Sequence, residues 1–205
     1  MSYTNEDRLY DYFEVVSGDN SDLDGSDFKF SGTEIYYKIF NNTSTLTSSV
    51  STITSAVNSS DISAAASTII NTKKYKPLTI SSSNDTPFIK GHNKKVYIRL
   101  NKIASDALNH PNEVQIDGKL FAYPKRFKTS GSKKIGFEFN KDDDDNPVPE
   151  EGDDDVEWSS SFTEDKVWYV DMWAFSSGKD TSYTWSYSEA VHLGNITIRE
   201  DEYNK

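Results

Sequence analysis

The chain has 205 residues, of which 33 are acidic and 22 are Lys or Arg, so its formal net charge is −11. This charge repels phosphate backbones and anionic bilayer surfaces, and it argues against both as partners. The absence of cysteine excludes disulfides, thiolate zinc sites and thiol nucleophiles. The length suits one elaborated domain, which we predict over 12–198 between a flexible polar leader, 1–11, and a polar tail, 199–205.

A first strand is predicted from Tyr12 to Val16, and a loop rich in oxygen ligands follows it. The stretch 20–25 opens like an EF-hand calcium loop, with oxygen side chains at alternate positions and Gly at the sixth. Its twelfth position is Ser31 instead of a bidentate Glu, so an EF-hand is not predicted. Asp22 and Asp24 are candidate ligands of a simpler calcium-supported loop.

A second strand is predicted over 33–40, and a segment of different character follows it. Half of the positions in 41–72 are Ser or Thr, which is typical of a linker. The apolar residues nevertheless keep helical spacing, so we predict helices over 45–57 and 61–71, with Ser60 capping the second. These helices would lie across the sheet and bury Leu46, Val50, Ile53 and Ile69. A loose flap is the alternative.

The middle of the chain predicts short strands at 78–80 and 94–100 and a longer one at 133–140, where apolar and polar residues alternate. The dipeptide Asp117-Gly118 favours a type I′ turn and therefore a β-hairpin.

The segment 141–157 is strongly acidic, with ten carboxylates between 142 and 157. Mutual repulsion keeps such a run extended and hydrated unless a cation gathers it. We interpret it as a solvated loop. Calcium is the alternative, with Asp143 and Asp145 as candidate ligands, and no other cofactor is predicted.

The segment 166–198 predicts two long strands. Trp168, Val170 and Met172 fall on one face of the first, which should point inward, and 176–178 has the chemistry of a turn. Gly194, inside the second strand, predicts a bulge or a close backbone approach.

Three segments resemble strands of fibronectin type III and immunoglobulin-like domains: Gly-Thr-Glu-Ile-Tyr-Tyr at 32–37, Trp-Tyr-Val-Asp-Met-Trp-Ala at 168–174 and Ser-Glu-Ala-Val at 188–191. The resemblance implies a mainly β fold, an antiparallel β-sandwich with a short helical insertion and long loops. In it, 33–40 and 167–175 are neighbours in one sheet, and Trp168 stands in place of a corner tyrosine. Longer stretches of the same segments, 32–39, 168–176 and 188–194, are similar to exported spirochaete lipoproteins. This resemblance implies a periplasmic or cell-surface location, with the export signal and the lipid anchor removed from this chain.

Four aromatic residues on or beside one loop of the 166–198 pair are candidate ligand-binding residues: Trp173, Tyr183, Trp185 and Tyr187. Exposed together, they would form a platform for a sugar ring or a protein. We favour a place in the core for the group, with Trp185 as the member expected to be exposed.

Three functions follow from these observations. The first is a non-enzymatic extracytoplasmic binding or structural module of a bacterial envelope, with a protein or a glycan as its ligand. The second is a carbohydrate-binding module that uses the aromatic loop 183–187. The third is a hydrolase with an unrecognised site, although His92, His110 and His192 have no metal-type spacing or nucleophile motif around them.

Overall fold

The computed structural model describes residues 12–18, 28–80, 83, 86–100, 112–130, 133–140, 144–145 and 147–200. These residues form a mainly β structure with two α-helices, and none of their helices is long and apolar enough to cross a membrane. The strands are β1 (Phe13–Val16), β2 (Phe28–Phe40), β3 (Lys76–Pro77), β4 (Thr79–Ile80), β5 (Lys95–Ile98), β6 (Val114–Ile116), β7 (Lys119–Ala122), β8 (Pro124–Lys125), β9 (Thr129–Ser130), β10 (Lys133–Lys134), β11 (Val156–Glu157), β12 (Val167–Asp180), β13 (Trp185–Tyr187) and β14 (Val191–Arg199).

The two longest strands, β2 and β12, form the centre of the fold. They pair antiparallel along nearly their full length, from Tyr169 opposite Phe40 to Asp180 opposite Phe28. The prediction that 33–40 and 167–175 are neighbours in one sheet is therefore confirmed. β12 does not end at 176–178 as predicted, because Ser177 is buried and stays paired with both neighbouring strands.

Four shorter strands complete a six-stranded sheet around this pair. β13 and β14 lie along β12, while β3 and β11 lie along β2. The β11–β2 pairing is parallel, which departs from the antiparallel expectation. The predicted irregularity at Gly194 is present: the register between β12 and β14 shifts after Met172, and Gly194 has a φ of +100°.

A four-stranded antiparallel sheet has the order β1-β5-β6-β7. Its β6–β7 hairpin turns at Asp117 and Gly118, whose φ angles of 51° and 74° fit the predicted turn. The strand predicted over 133–140 was wrong beyond Lys134. Its apolar residues are buried, but the backbone leaves the extended conformation, and Phe139 has a φ of 46°.

One hydrophobic core contains residues from both sheets. It includes Trp168, Val170 and Met172 of β12. From the four-stranded sheet it includes Phe13 of β1 and Val96 of β5. The inward orientation predicted for the β12 residues is confirmed. The indole N–H of Trp168 has no hydrogen-bond partner in the described part of the chain, so it does not reproduce the bond of a corner tyrosine.

Helices cover the opposite face of the six-stranded sheet. They are α1 (Thr43–Val57), α2 (Ala64–Ser67) and a π-helical turn over Thr68–Thr72. Leu46, Ile53 and Ile69 are buried in a second core with Tyr36, Phe40, Trp173 and Phe175 of the sheet, and Val50 is partly buried beside them. The two predicted helices are thus confirmed in place, although the second starts later, after Ser63 instead of Ser60.

Candidate functional site

The structure separates the four candidate aromatic residues into two groups. Trp173 lies under the helices with 2% of its surface exposed and stacks on the His192 ring, 4.4 Å between centroids. Tyr187 is partly buried and meets Phe175 edge-on. Tyr183 and Trp185 are exposed over 81% and 44% of their surface. Only this second pair can offer ring surface to a ligand.

The exposed pair lies beside two lysines, and we call Lys29, Lys179, Tyr183 and Trp185 the aromatic–lysine face. Backbone register creates it: Lys29 of β2 is directly opposite Lys179 of β12, which is directly opposite Trp185 of β13. Residues paired in this way point to the same side of a sheet. The Lys179 ammonium lies 4.6 Å from the centroid of the Trp185 ring, within cation–π distance.

These four residues line a shallow depression of about 590 Å³, which also includes Ser31, Asp180 and Thr181. This volume falls within the range of about 300–1,000 Å³ that is typical of small-ligand sites. The depression lies on the same side of the sheet as Trp173 and Tyr187, near the end of β12.

Asp180 fixes the turn that presents Tyr183. Its carboxylate Oδ1 accepts hydrogen bonds from the backbone N–H groups of Ser182 (2.9 Å) and Thr184 (2.8 Å), and its carbonyl accepts from the N–H of Tyr183 (3.0 Å). Tyr183 has a φ of +62°, a left-handed conformation that is unfavourable for a bulky side chain. Backbone strain of this kind is found at binding sites, where the surrounding structure holds it in place.

A buried carboxylate, Asp171, connects the sheet to residues packed beneath the helices, on the same side of the sheet as this face. It accepts hydrogen bonds from the Tyr75 hydroxyl (2.8 Å) and the Trp173 indole N–H (2.9 Å), and its Oδ1 lies 2.7 Å from Nε2 of His192. Burial, and then the charge of Asp171, raises the pKa of Tyr75 well above its usual range. The Tyr75 phenol therefore stays protonated as a donor.

The histidines do not converge in the described structure. His192 is held by Asp171, and no hydroxyl side chain of the described residues forms a hydrogen bond with it. His92 stacks on Phe30, with 4.3 Å between ring centroids, and His110 lies outside the described residues. The His192–Asp171 arrangement orients an imidazole but places no nucleophile beside it.

The acidic segment is not uniformly solvated, because two of its carboxylates are buried against Arg126. The guanidinium donates to both oxygens of Asp155 (2.9 and 2.8 Å) and to Asp153 (2.9 Å), and no part of it is exposed. The Tyr37 hydroxyl also donates to Asp155 (2.5 Å) and accepts from the N–H of Phe127. The interpretation of 141–157 as a solvated loop was wrong at these two positions. The local sequence around Arg126 gives no signal for this network.

Of the four candidate calcium ligands, Asp145 alone belongs to the described residues. Asp22, Asp24 and Asp143 lie outside the described residues, whereas Asp145 is exposed, with its carboxylate 3.5 Å from the Lys133 ammonium. Within the described ranges, no three His, Asp or Glu side chains are grouped as metal ligands would be.

Comparisons of the chain with protein-family models, with curated proteins and with solved structures give no match.

Proposed function

We propose that the chain is a non-enzymatic binding module that binds carbohydrate through the aromatic–lysine face. The observation that carries the proposal is the joint exposure of Tyr183 and Trp185 in one depression, while the other two aromatic candidates are buried or half-buried. An exposed Trp next to an exposed Tyr is unfavourable to solvate, and both residue types are enriched where ligands bind.

The aromatic–lysine face is also preorganised. Trp185 lies on a strand whose register with Lys179 is fixed, and Asp180 holds the turn under Tyr183. Side chains that are already positioned lose little conformational entropy on binding. A flat ring on a rigid strand suits the apolar face of a pyranose.

The size of the depression favours a saccharide over a folded protein as the ligand. A stable protein interface buries about 800 Å² on each partner, with a contiguous apolar centre. The exposed rings here belong to two residues and are bordered by Lys29, Lys179 and Asp180. A small ligand that has apolar and polar surfaces close together, such as a saccharide, matches these rings and charged groups better than a folded protein does.

We further propose that the fold is a fibronectin type III-like β-sandwich, a refinement of its mainly β character. Two observations support the proposal: β12 pairs with β2 on one edge and with β14 on the other, and both sheets contribute side chains to one core. The proposed location in the bacterial envelope rests on the lipoprotein resemblance alone. Cell fractionation tests it: recovery of the native protein in the soluble cytoplasm would contradict it.

Glycan-array screening followed by calorimetry on the best saccharide tests the binding proposal. We expect Trp185→Ala to weaken binding by about tenfold or more, as loss of a central aromatic contact does, and Tyr183→Ala to weaken it less. Tyr123→Ala is the matched control, because Tyr123 is 48% exposed and lies outside the depression. Binding that all three variants retain equally, or an array without any hit, would contradict the proposal.

A further inference from the structure

We infer that the saccharide bound by the aromatic–lysine face is anionic, with a carboxylate or sulfate next to a pyranose ring. This inference rests on the proposed function and adds the charge of the ligand to it. It is drawn from the two lysines, whose arrangement ring stacking alone does not explain.

The strand register brings the two lysines together. Lys29 and Lys179 are direct partners on neighbouring antiparallel strands, which places their Cβ atoms about 4.5–5.5 Å apart. Like charges in directly opposite positions destabilise a sheet. The chain has 22 basic residues against 33 acidic ones, so a juxtaposed pair of cations is unexpected by composition. An anion bound between the two ammonium groups would relieve their repulsion.

The described residues around the lysines leave their positive charge largely uncompensated. Among the described residues that line the depression, Lys29 and Lys179 are accompanied by one carboxylate, that of Asp180. One oxygen of this carboxylate already accepts two backbone N–H groups of the turn. The described lining therefore carries more positive than negative charge, on a protein whose overall charge is −11.

The positive charge lies next to the stacking surface. The Lys179 ammonium lies 4.6 Å from the Trp185 ring centroid, so a sugar that contacts the exposed part of this ring comes close to the ammonium. Lys29 follows on the neighbouring strand in the same row. An acidic substituent of the stacked sugar, or of the next residue in an oligosaccharide, would lie over the lysine pair.

The lysines recognise charge rather than shape. An ammonium is a compact point charge with three donors, whereas bidentate recognition of a planar carboxylate is the property of Arg. Carboxylated and sulfated sugars share the chemistry that this pair can bind, and the experiment separates these two sources.

The test compares trigalacturonate with its fully methyl-esterified form, which has the same rings without the charge, and adds a sulfated galactan trisaccharide. Calorimetry at 50 mM NaCl should give at least one acidic sugar an affinity about 5- to 20-fold above that of the ester, as expected for two solvent-exposed charge pairs. The preference should fall towards unity in 1 M NaCl, where the Debye length is about 3 Å. Whichever acidic sugar shows the preference identifies the charged group.

Charge variants complete the test. Lys29→Gln/Lys179→Gln should bring the acid-to-ester affinity ratio close to 1, whereas Lys29→Arg/Lys179→Arg should keep most of it. Lys95→Gln/Lys119→Gln is the control, since it removes the same charge from exposed positions of the four-stranded sheet. Circular dichroism establishes that each variant is folded.

Three results would overturn the inference, and they can be distinguished from one another. If the ester or other neutral glycans bind as tightly as both acidic sugars, and Trp185→Ala removes this binding, the charge inference fails while the proposed function stands. If neither these sugars nor any glycan of the array binds, both fail. A preference that the control lysine variant abolishes equally would also overturn the inference, because diffuse surface charge would then explain it.

Discussion

Replacing Arg126 with Met should destabilise the protein strongly. The guanidinium is fully buried and makes three hydrogen bonds of 2.8–2.9 Å to Asp153 and Asp155. Met fills a similar volume without charge, so Asp155 would keep the Tyr37 hydroxyl as its one remaining donor among the described side chains. Breaking a buried pair from one side costs about 3–5 kcal/mol, because a buried charge is left uncompensated. For a domain of this length, this corresponds to a fall in Tm of roughly 6–20 °C.

The assay is urea unfolding at pH 7 followed by circular dichroism, with Arg199→Met as the control. Arg199 is partly exposed and pairs with the exposed Glu164, so loss of the pair should cost about 0–1 kcal/mol. The double variant Arg126→Met/Asp155→Asn should be more stable than the sum of the single effects, by about 1–3 kcal/mol, since it removes both charges. A free energy of unfolding within 1 kcal/mol of wild type for Arg126→Met would refute this reasoning.

Two further predictions concern acid and calcium. Burial disfavours the charged form of Asp153, but hydrogen bonds from Lys128, the Glu150 N–H and Arg126 lower the pKa of this carboxyl overall. Its contribution to stability is therefore fully present above the unfolded pKa of about 3.9 and is lost as the pH falls through the lower folded pKa. Stability should therefore fall less steeply between about pH 5 and pH 2 in Asp153→Asn than in wild type, and equal slopes would contradict this. Millimolar Ca²⁺ and Mg²⁺ should each shift the Tm by about 1–2 °C or less, since carboxylate repulsion is relieved by screening. A calcium-selective rise of about five degrees or more, lost in Asp143→Asn/Asp145→Asn or Asp22→Asn/Asp24→Asn, would show a defined site instead.

The central strands β2 and β12, the β6–β7 hairpin and the helices could be predicted because their signals are local. The residues around Val170 alternate between two faces with the period of a strand, and Asp117-Gly118 specifies its own turn. The Ser/Thr-rich helices kept their apolar spacing although their intrinsic propensity is weak, because the sheet face supplies the packing energy. Each of these features depends on residues a few positions apart.

The Arg126 network could not be predicted because its members are distant in sequence. Asp155 is 29 residues from Arg126 and 118 from Tyr37. Within the acidic segment itself, only repulsion between carboxylates is visible, and that argument holds only for carboxylates without a cationic partner. The fold supplies such a partner to Asp153 and Asp155 and leaves Asp145 exposed.

The aromatic–lysine face depends on register, which the sequence does not display. The pairing between β2 and β12 shifts between Ser177 and Gly178, so that Gly178 lies opposite Phe30 and Lys179 opposite Lys29. A slip of one residue moves a side chain to the other face of a sheet. Without this register shift, Lys29 would not lie directly opposite Lys179. Nothing in the local sequence indicates that Lys29 belongs to the face.

Trp173 and Trp185 provide the sharpest test of where the helical layer ends, because both lie on the same side of the six-stranded sheet. Trp173 is buried beneath the helices, and Trp185 lies beyond them with 44% of its surface exposed. Trp173→Ala should therefore cost about 3–5 kcal/mol of unfolding free energy, the usual range for a large buried aromatic. Trp185→Ala should cost less than about 1 kcal/mol, because little packing is lost at an exposed position. Urea unfolding of both variants measures the difference. If Trp185→Ala were as destabilising as Trp173→Ala, Trp185 would be a structural residue and the face would not be available to a ligand.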